Sequence, residues 1–313
     1  MPLDPEFRTV LDTLQSAGAL PLVREDAVTT RKHYRALATA RRGPDFVPEQ
    51  VAAVTDGTVE GPAGPVPVRT YVPTDDRGGV LLYLHGGGWV LGDLVTHDPV
   101  CRRVANTTGA VVVAVDYRLA PEHPHPAPID DAWAALLAVA GRYPDRPLGV
   151  AGDSAGASLA AGLALRARDR GGPDLAAQLL FYPALDPACA TPSMQDNAEG
   201  YFLTADAMRW FWELYLSGTA VADPEVAPLG SDTSADPSGV APAVVATAEF
   251  DPLHDEGRDW ADALAAAGVP VTRVEGPGLI HGYVAFLGAV EAAETAAEKS
   301  LDAVAALLSP SAP

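Results

Sequence analysis

The chain has 313 residues, length for a single α/β body with an insertion, and 48% hydrophobic against 20% charged residues exclude wholesale disorder. A formal net charge of −20 is repelled by nucleic-acid phosphates and by anionic membrane surfaces, so neither is an expected partner. Cys101 and Cys189 stand far apart with no metal or redox spacing, the N-terminal segment lacks the basic and apolar regions of a secretory signal, and no apolar run reaches the roughly 18 residues of a spanning helix; a cytoplasmic protein is expected.

The first 45 residues predict two amphipathic helices, Asp4 to Ala17 and Arg24 to Ala40, divided by Gly18 and Pro21. Residues 24–42 carry a basic run, Arg24, Arg31, Lys32, Arg35, Arg41 and Arg42 against Glu25 and Asp26, which reads as a solvated helix face, with steering of acidic substrates as the alternative. Beyond Pro48, strand-like runs at Val51 to Val59 and Val66 to Val72 flank the turn cluster Gly61 to Pro65 and predict an antiparallel pair. From Val80 onward short apolar runs alternate with longer helical ones, the signature of βαβ crossovers and a parallel sheet. Strands are expected at Val80 to Leu84, Ala110 to Val115, Leu148 to Ala151, Ala177 to Phe181, Ala243 to Ala248 and Val271 to Val274. Helices fall near Asp98 to Thr107, Pro128 to Gly141, Ala155 to Asp169, His254 to Ala267 and Val284 to Leu308.

Residues 187–240 break this alternation. They hold no clear strand, but Thr204 to Leu216 forms a helix whose Trp210, Phe211, Trp212, Tyr215 and Leu216 surround its axis, so it must be buried on several faces. The expected architecture is an α/β fold with a mostly parallel eight-stranded sheet and helices on both faces. Residues 46–186 and 241–313 make the two parts of the core, and residues 1–45 with the insertion 187–240 make a helical cap.

Two motifs carry chemistry. Ser154, in Gly152-Asp153-Ser154-Ala155-Gly156, follows a strand and opens a helix, the context a nucleophile elbow needs, and the tight turn leaves no room for side chains at Gly152 and Gly156. A Gly-x-Ser-x-Gly run arises by chance in roughly one such chain in ten, so its surroundings decide. Upstream, the strand ending at Leu84 runs into His85-Gly86-Gly87-Gly88-Trp89, where N–H groups unobstructed by Cβ atoms can meet the N–H of Ala155 around one oxyanion. Gly86, Gly87 and Ala155 are the expected donors.

These motifs resemble those of the hormone-sensitive-lipase-like family of bacterial carboxylesterases, bacterial family IV, of the α/β-hydrolase fold. The resemblance extends through Asp116-Tyr117-Arg118-Leu119-Ala120-Pro121-Glu122-His123, Phe181-Tyr182-Pro183, Asp251-Pro252-Leu253-His254-Asp255-Glu256-Gly257 and His281-Gly282-Tyr283, and so covers residues 50–308. It implies a cap-covered pocket for short acyl chains, with homodimers as an assembly open to the chain.

The fold places its triad in the order Ser, acid, His, and only His254 and His281 follow Ser154. Asp251 and His281 lie beyond the carboxyl ends of successive strands, where α/β sheets gather ligands, whereas His254 sits too close to Asp251 in sequence. Asp255 and Glu256 compete with Asp251, but they fall in a first helical turn, where negative charge complements the dipole. His85 is expected to hold the glycine loop; His123 and His125 lie in a proline-rich loop, and nothing supplies metal-ligand spacing or requires a cofactor. Trp89, Tyr201, Phe202, Trp210 and Phe211 are candidates for shaping the pocket of a small-molecule ester. The expected function is therefore a serine carboxylester hydrolase using Ser154, His281 and Asp251 through an acyl-enzyme. The alternatives are a hydrolase-fold binder without chemistry, and an amidase or lactonase with the same triad.

Overall fold

A computed structural model describes residues 1–40, 46–218, 223–230 and 235–309. Eight strands form one sheet: β1 Ala53–Gly61, β2 Gly64–Val72, β3 Val80–Leu84, β4 Val111–Val115, β5 Leu148–Asp153, β6 Ala177–Phe181, β7 Ala243–Ala246 and β8 Val271–Val274, in the order β1-β2-β4-β3-β5-β6-β7-β8. Strands β1/β2 and β2/β4 pair antiparallel and all other neighbours pair parallel. The apolar runs Val80–Leu84, Val111–Val115, Ala177–Phe181 and Ala243–Ala246 are buried at every position, which requires cover on both faces of the sheet. That cover comes from α3 Asp98–Thr108 packed with α9 Glu291–Leu308, and from α4 Ala127–Arg142 packed with α5 Ala155–Arg170, with α8 His254–Ala266 against β7 and β8.

The remaining helices are α1 Pro5–Ser16 and α2 Ala27–Ala40 near the N-terminus, and α6 Pro192–Asp196 and α7 Ala205–Leu216 between β6 and β7. Their starts are written in the sequence: the carboxylate of Asp4 accepts from Glu6 N and Phe7 N, Asp26 from Thr29 N, and the Thr204 hydroxyl from Ala207 N. Helix α7 turns Met208, Phe211, Trp212 and Tyr215 inward.

Three expectations need correction. The predicted helix from Val284 is interrupted, because Tyr283–Phe286 is a 3-10 turn, Gly288 takes φ 81°, and α9 begins only at Glu291. Strand β5 runs two residues further than expected, to Asp153, which carries it to the nucleophile itself. The basic run is not merely a solvated face. Arg31 donates to the carbonyls of Val90 at 2.6 Å and Ala120 at 2.5 Å and pairs with Glu122, Arg35 pairs with Asp93, and Arg24 donates to the Gly18 carbonyl. Arg41 and Arg42 lie outside the described residues.

Candidate active site

The junction of β5 and α5 is a turn of small residues. Ser154 takes φ 55° and ψ −124°, a region disfavoured for a residue with a Cβ, and its N–H donates to the Phe181 carbonyl at 2.8 Å. A Cβ on Gly156 would run into the Leu84 carbonyl, and one on Gly152 into the backbone of Gly156, so both glycines are sterically required. The result lifts the Ser154 hydroxyl clear of the sheet at the end of a buried strand.

The sheet also brings the other two side chains together. Past the ends of β7 and β8 the parallel pairing continues as a bridge between Phe250 and Ile280, with Phe250 N donating to the Leu279 carbonyl at 2.9 Å. The next residue on each side is Asp251 or His281. Asp251 Oδ2 meets His281 Nδ1 at 2.7 Å, and His281 Nε2 meets Ser154 Oγ at 2.9 Å. All three residues are buried. The second carboxylate oxygen of Asp251 accepts from Leu253 N at 2.9 Å, which fixes its rotamer, and the Tyr182 ring meets the imidazole edge-on at 4.7 Å.

Asn197, which sequence reasoning missed, adds a further tie by donating its amide to the carbonyls of Glu249 and Asp251 at 3.2 and 3.1 Å. No local pattern signals this contact, because its partners lie 52 and 54 residues further along the chain. The competing acids are otherwise engaged. Asp255 accepts from Ser193 N at 2.8 Å, and Glu256 Oε2 accepts from Leu185 N and Asp186 N at 2.6 and 3.0 Å. Burial pushes the Glu256 carboxyl up to about 8.

The glycine loop lies across from Ser154. Its expected donor Gly86 is not available, because Gly86 N donates to Asp153 Oδ1 at 3.0 Å. Gly87 and Gly88, with φ 124° and 60°, line the same cleft as Ser154 and His281, and among the described residues no protein acceptor meets their N–H groups or that of Ala155. His85 anchors the loop: its ring stacks on Tyr117 at 4.3 Å, its Nδ1 lies 2.9 Å from the Gly86 carbonyl, and the Tyr117 hydroxyl donates to the His85 carbonyl at 2.6 Å. Burial, reinforced by the neighbouring His97 imidazole, pushes His85 down to about 4, so it is neutral at pH 7.

The cleft is walled by Leu22, Tyr34, Leu91, Val100, Phe202, Leu203, Met208, Phe211 and Val284, mostly apolar side chains drawn from α7 and its approach, the α1–α2 segment and the core. Of the five aromatic pocket candidates, Phe202 and Phe211 line it. Trp89 does not; it is fully buried, stacked on Tyr215 at 4.3 Å, and holds α7 to the glycine loop. Tyr201 packs on Phe250 and Trp210 on Phe211, both outside the lining. Among the described residues no cluster of His, Cys, Asp and Glu could hold a metal ion, and no helix is long and apolar enough to cross a membrane.

A fold of this topology, with a serine at a strained strand-to-helix turn facing a histidine and a buried carboxylate, is that of the α/β hydrolases. The family model described as alpha/beta hydrolase fold matches residues 81–285, and the chain belongs to that family. It is 44% identical to the esterase LipI of Mycobacterium tuberculosis over 264 residues, 82% of each chain. It is 42% identical to the carboxylesterase NlhH of the same organism over 96% of this chain and 95% of that one. The hyperthermophilic esterase from the archaeon Pyrobaculum calidifontis superposes with a TM-score of 0.89 at 39% identity, covering 99% of this chain and 100% of that one. Within the family this chain is a carboxylester hydrolase of the hormone-sensitive-lipase-like branch.

Proposed function

We propose that the chain hydrolyses short-chain acyl esters with Ser154 as nucleophile, His281 as general base and acid, and Asp251 as the carboxylate that orients the imidazole. The observation that carries this reading is the continuous hydrogen-bonded chain from Ser154 Oγ through His281 to Asp251, opening on an apolar cleft. As Ser154 Oγ attacks the carbonyl carbon, its proton passes to His281 Nε2, and Asp251 stabilises the imidazolium. The C–O bond to the alcohol then breaks, and the alcohol leaves with that proton. Water attacks the acyl-enzyme by the same route, and the acid is released with Ser154 restored.

The N–H groups of Gly87, Gly88 and Ala155 are the oxyanion donors in this reading. Gly88 replaces Gly86 because the latter's N–H is already spent on Asp153. Residues 1–45 and the insertion 187–240 act as the cap, a role supported by Leu22, Tyr34, Leu203, Met208 and Phe211 in the cleft wall. The apolar wall favours an uncharged acyl group, and the crowding of Phe211 against Gly88 favours a short one. Cytoplasmic residence accords with the free, buried Cys101 and Cys189. The family resemblance adds a homodimer, which light scattering checks.

The test is a series of p-nitrophenyl esters from acetate to dodecanoate, with the matching anilide. We expect kcat/KM to be highest at two to six acyl carbons and to fall steeply by twelve. An anilide rate above the ester rate, or a maximum at the longest chain, contradicts the reading.

A further inference from the structure

One buried charge at the site is not used by the steps above. Asp153, the last residue of β5, stands directly before the nucleophile in sequence yet turns its side chain toward the glycine loop. Its Oδ1 accepts from the Gly86 N–H at 3.0 Å and from the Tyr83 hydroxyl at 2.8 Å, and its Oδ2 lies 3.5 Å from His97 Nε2. All of these groups are buried, and the His97 ring lines the cleft. Burial works to raise the Asp153 carboxyl, but His97 and the hydrogen bonds from His97 and Tyr83 outweigh it and hold it below its ordinary value. Tyr83, pushed far upward by burial and by Asp153 itself, keeps its proton and remains a donor.

The shape of the loop depends on this contact. β3 and β5 are parallel neighbours with Leu84 opposite Gly152, so the loop leaving β3 passes alongside Asp153. A Cβ at Gly86 would strike the Asp153 carboxylate and carbonyl, so the missing side chain at Gly86 is what lets the loop settle onto Asp153. The next two residues, Gly87 and Gly88, take positive φ values and enter the cleft. An N–H held by a buried carboxylate is among the stronger neutral-to-charged hydrogen bonds, and it fixes the first peptide of a run whose glycines are otherwise free to move.

We propose that Asp153 is a positioning residue for the oxyanion hole. By holding Gly86 N–H it sets the direction of the Gly87 and Gly88 N–H groups relative to Ser154, so one residue links the nucleophile turn to the donor loop. The inference rests on the serine mechanism proposed above. It also accounts for Gly86 being part of the loop without being a donor to substrate. Because the contact acts on the oxyanion and not on ester binding, its loss lowers kcat and leaves KM nearly unchanged.

The experiment compares wild type, Asp153→Asn and Asp153→Ala by kcat and KM on p-nitrophenyl butyrate. It adds the inhibition constant of an aryl trifluoromethyl ketone, whose hemiketal with the serine places an oxyanion in the hole. Asn retains an Oδ1 acceptor without the charge, so we expect kcat about 3- to 10-fold lower, and about 30- to 300-fold lower for Ala. KM should stay within about 3-fold in both, and ketone affinity should fall in proportion to kcat. If Ala does not fold, the isosteric Asn variant carries the same comparison. A folded variant that loses kcat while keeping ketone affinity, or one that keeps both, overturns the proposal. Wild-type enzyme that neither forms a ketone adduct nor labels with a fluorophosphonate would instead overturn the serine mechanism.

Discussion

Phe211 occupies the space into which a side chain at Gly88 would project, so position 88 must be glycine on two grounds: the ring above it and its φ of 60°. Gly88→Ala should therefore disturb the donor loop and the pocket wall together, lowering kcat by about 10²- to 10³-fold, the loss associated with one oxyanion donor. A change below about 5-fold in steady-state kinetics would remove Gly88 from that role. Glu256 makes a different prediction. Its folded value of about 8 stands above the ordinary 4.5, so the folded chain holds a proton that the unfolded chain releases, and stability present below about pH 4.5 is lost as pH rises toward 8. Glu256→Gln cannot ionise, so its melting temperature relative to wild type should rise steadily from pH 5 to 8.5; parallel curves would contradict this. The candidate triad was legible at this scale because Ser154 sits in a glycine-flanked strand-to-helix turn and only two of the seven histidines follow it, which the chain order Ser, acid, His then sorts. Which of the three adjacent glycines keeps a free N–H was not, because Gly86 donates to a carboxylate 67 residues away in sequence.

Helix α2 was visible in the sequence, but not what its charges do. Arg31 bridges two carbonyls, Val90 just after the glycine loop and Ala120, while Ala120 N donates to the Trp89 carbonyl at 2.9 Å, so the N-terminal segment is tied to the loop that bears Gly87 and Gly88. One ammonium cannot span these oxygens and Glu122 together. Arg31→Ala should lower the melting temperature by several degrees and kcat/KM by about 10-fold, with Arg31→Lys in between; equal values for Lys and wild type would show that charge alone suffices. The parallel strands were legible because burial on both faces demands unbroken apolar runs. The break before α9 was hidden, since Val284 to Leu308 reads as a helix in composition, while the chain runs through a 3-10 turn, an extended Leu287, the left-handed Gly288 and an extended Val290 before α9 starts. Aromatic type likewise told which residues are large but not which face they present, so Phe211 lines the cleft while Trp89 and Trp210 pack behind it.

Across the whole molecule, 41 aspartates and glutamates stand against 21 lysines and arginines, so even complete pairing would leave a formal excess of 20 acidic side chains. Raising salt from about 10 to about 100 mM shortens the screening length from about 30 to about 10 Å and weakens that long-range repulsion more than the close ion pairs. The melting temperature should rise by a few degrees over this range; a fall would mean that pairs such as Arg35–Asp93 dominate. The sheet brings Ser154, Asp251 and His281 to a single point just beyond the ends of β5, β7 and β8. We propose that Ser154 at this point is the nucleophile. Its most direct measurement is mass spectrometry of the folded protein after treatment with a fluorophosphonate. We expect one adduct, on the peptide containing Ser154, that is absent after His281→Ala. Unmodified protein, or an adduct on another residue with activity lost, would contradict it.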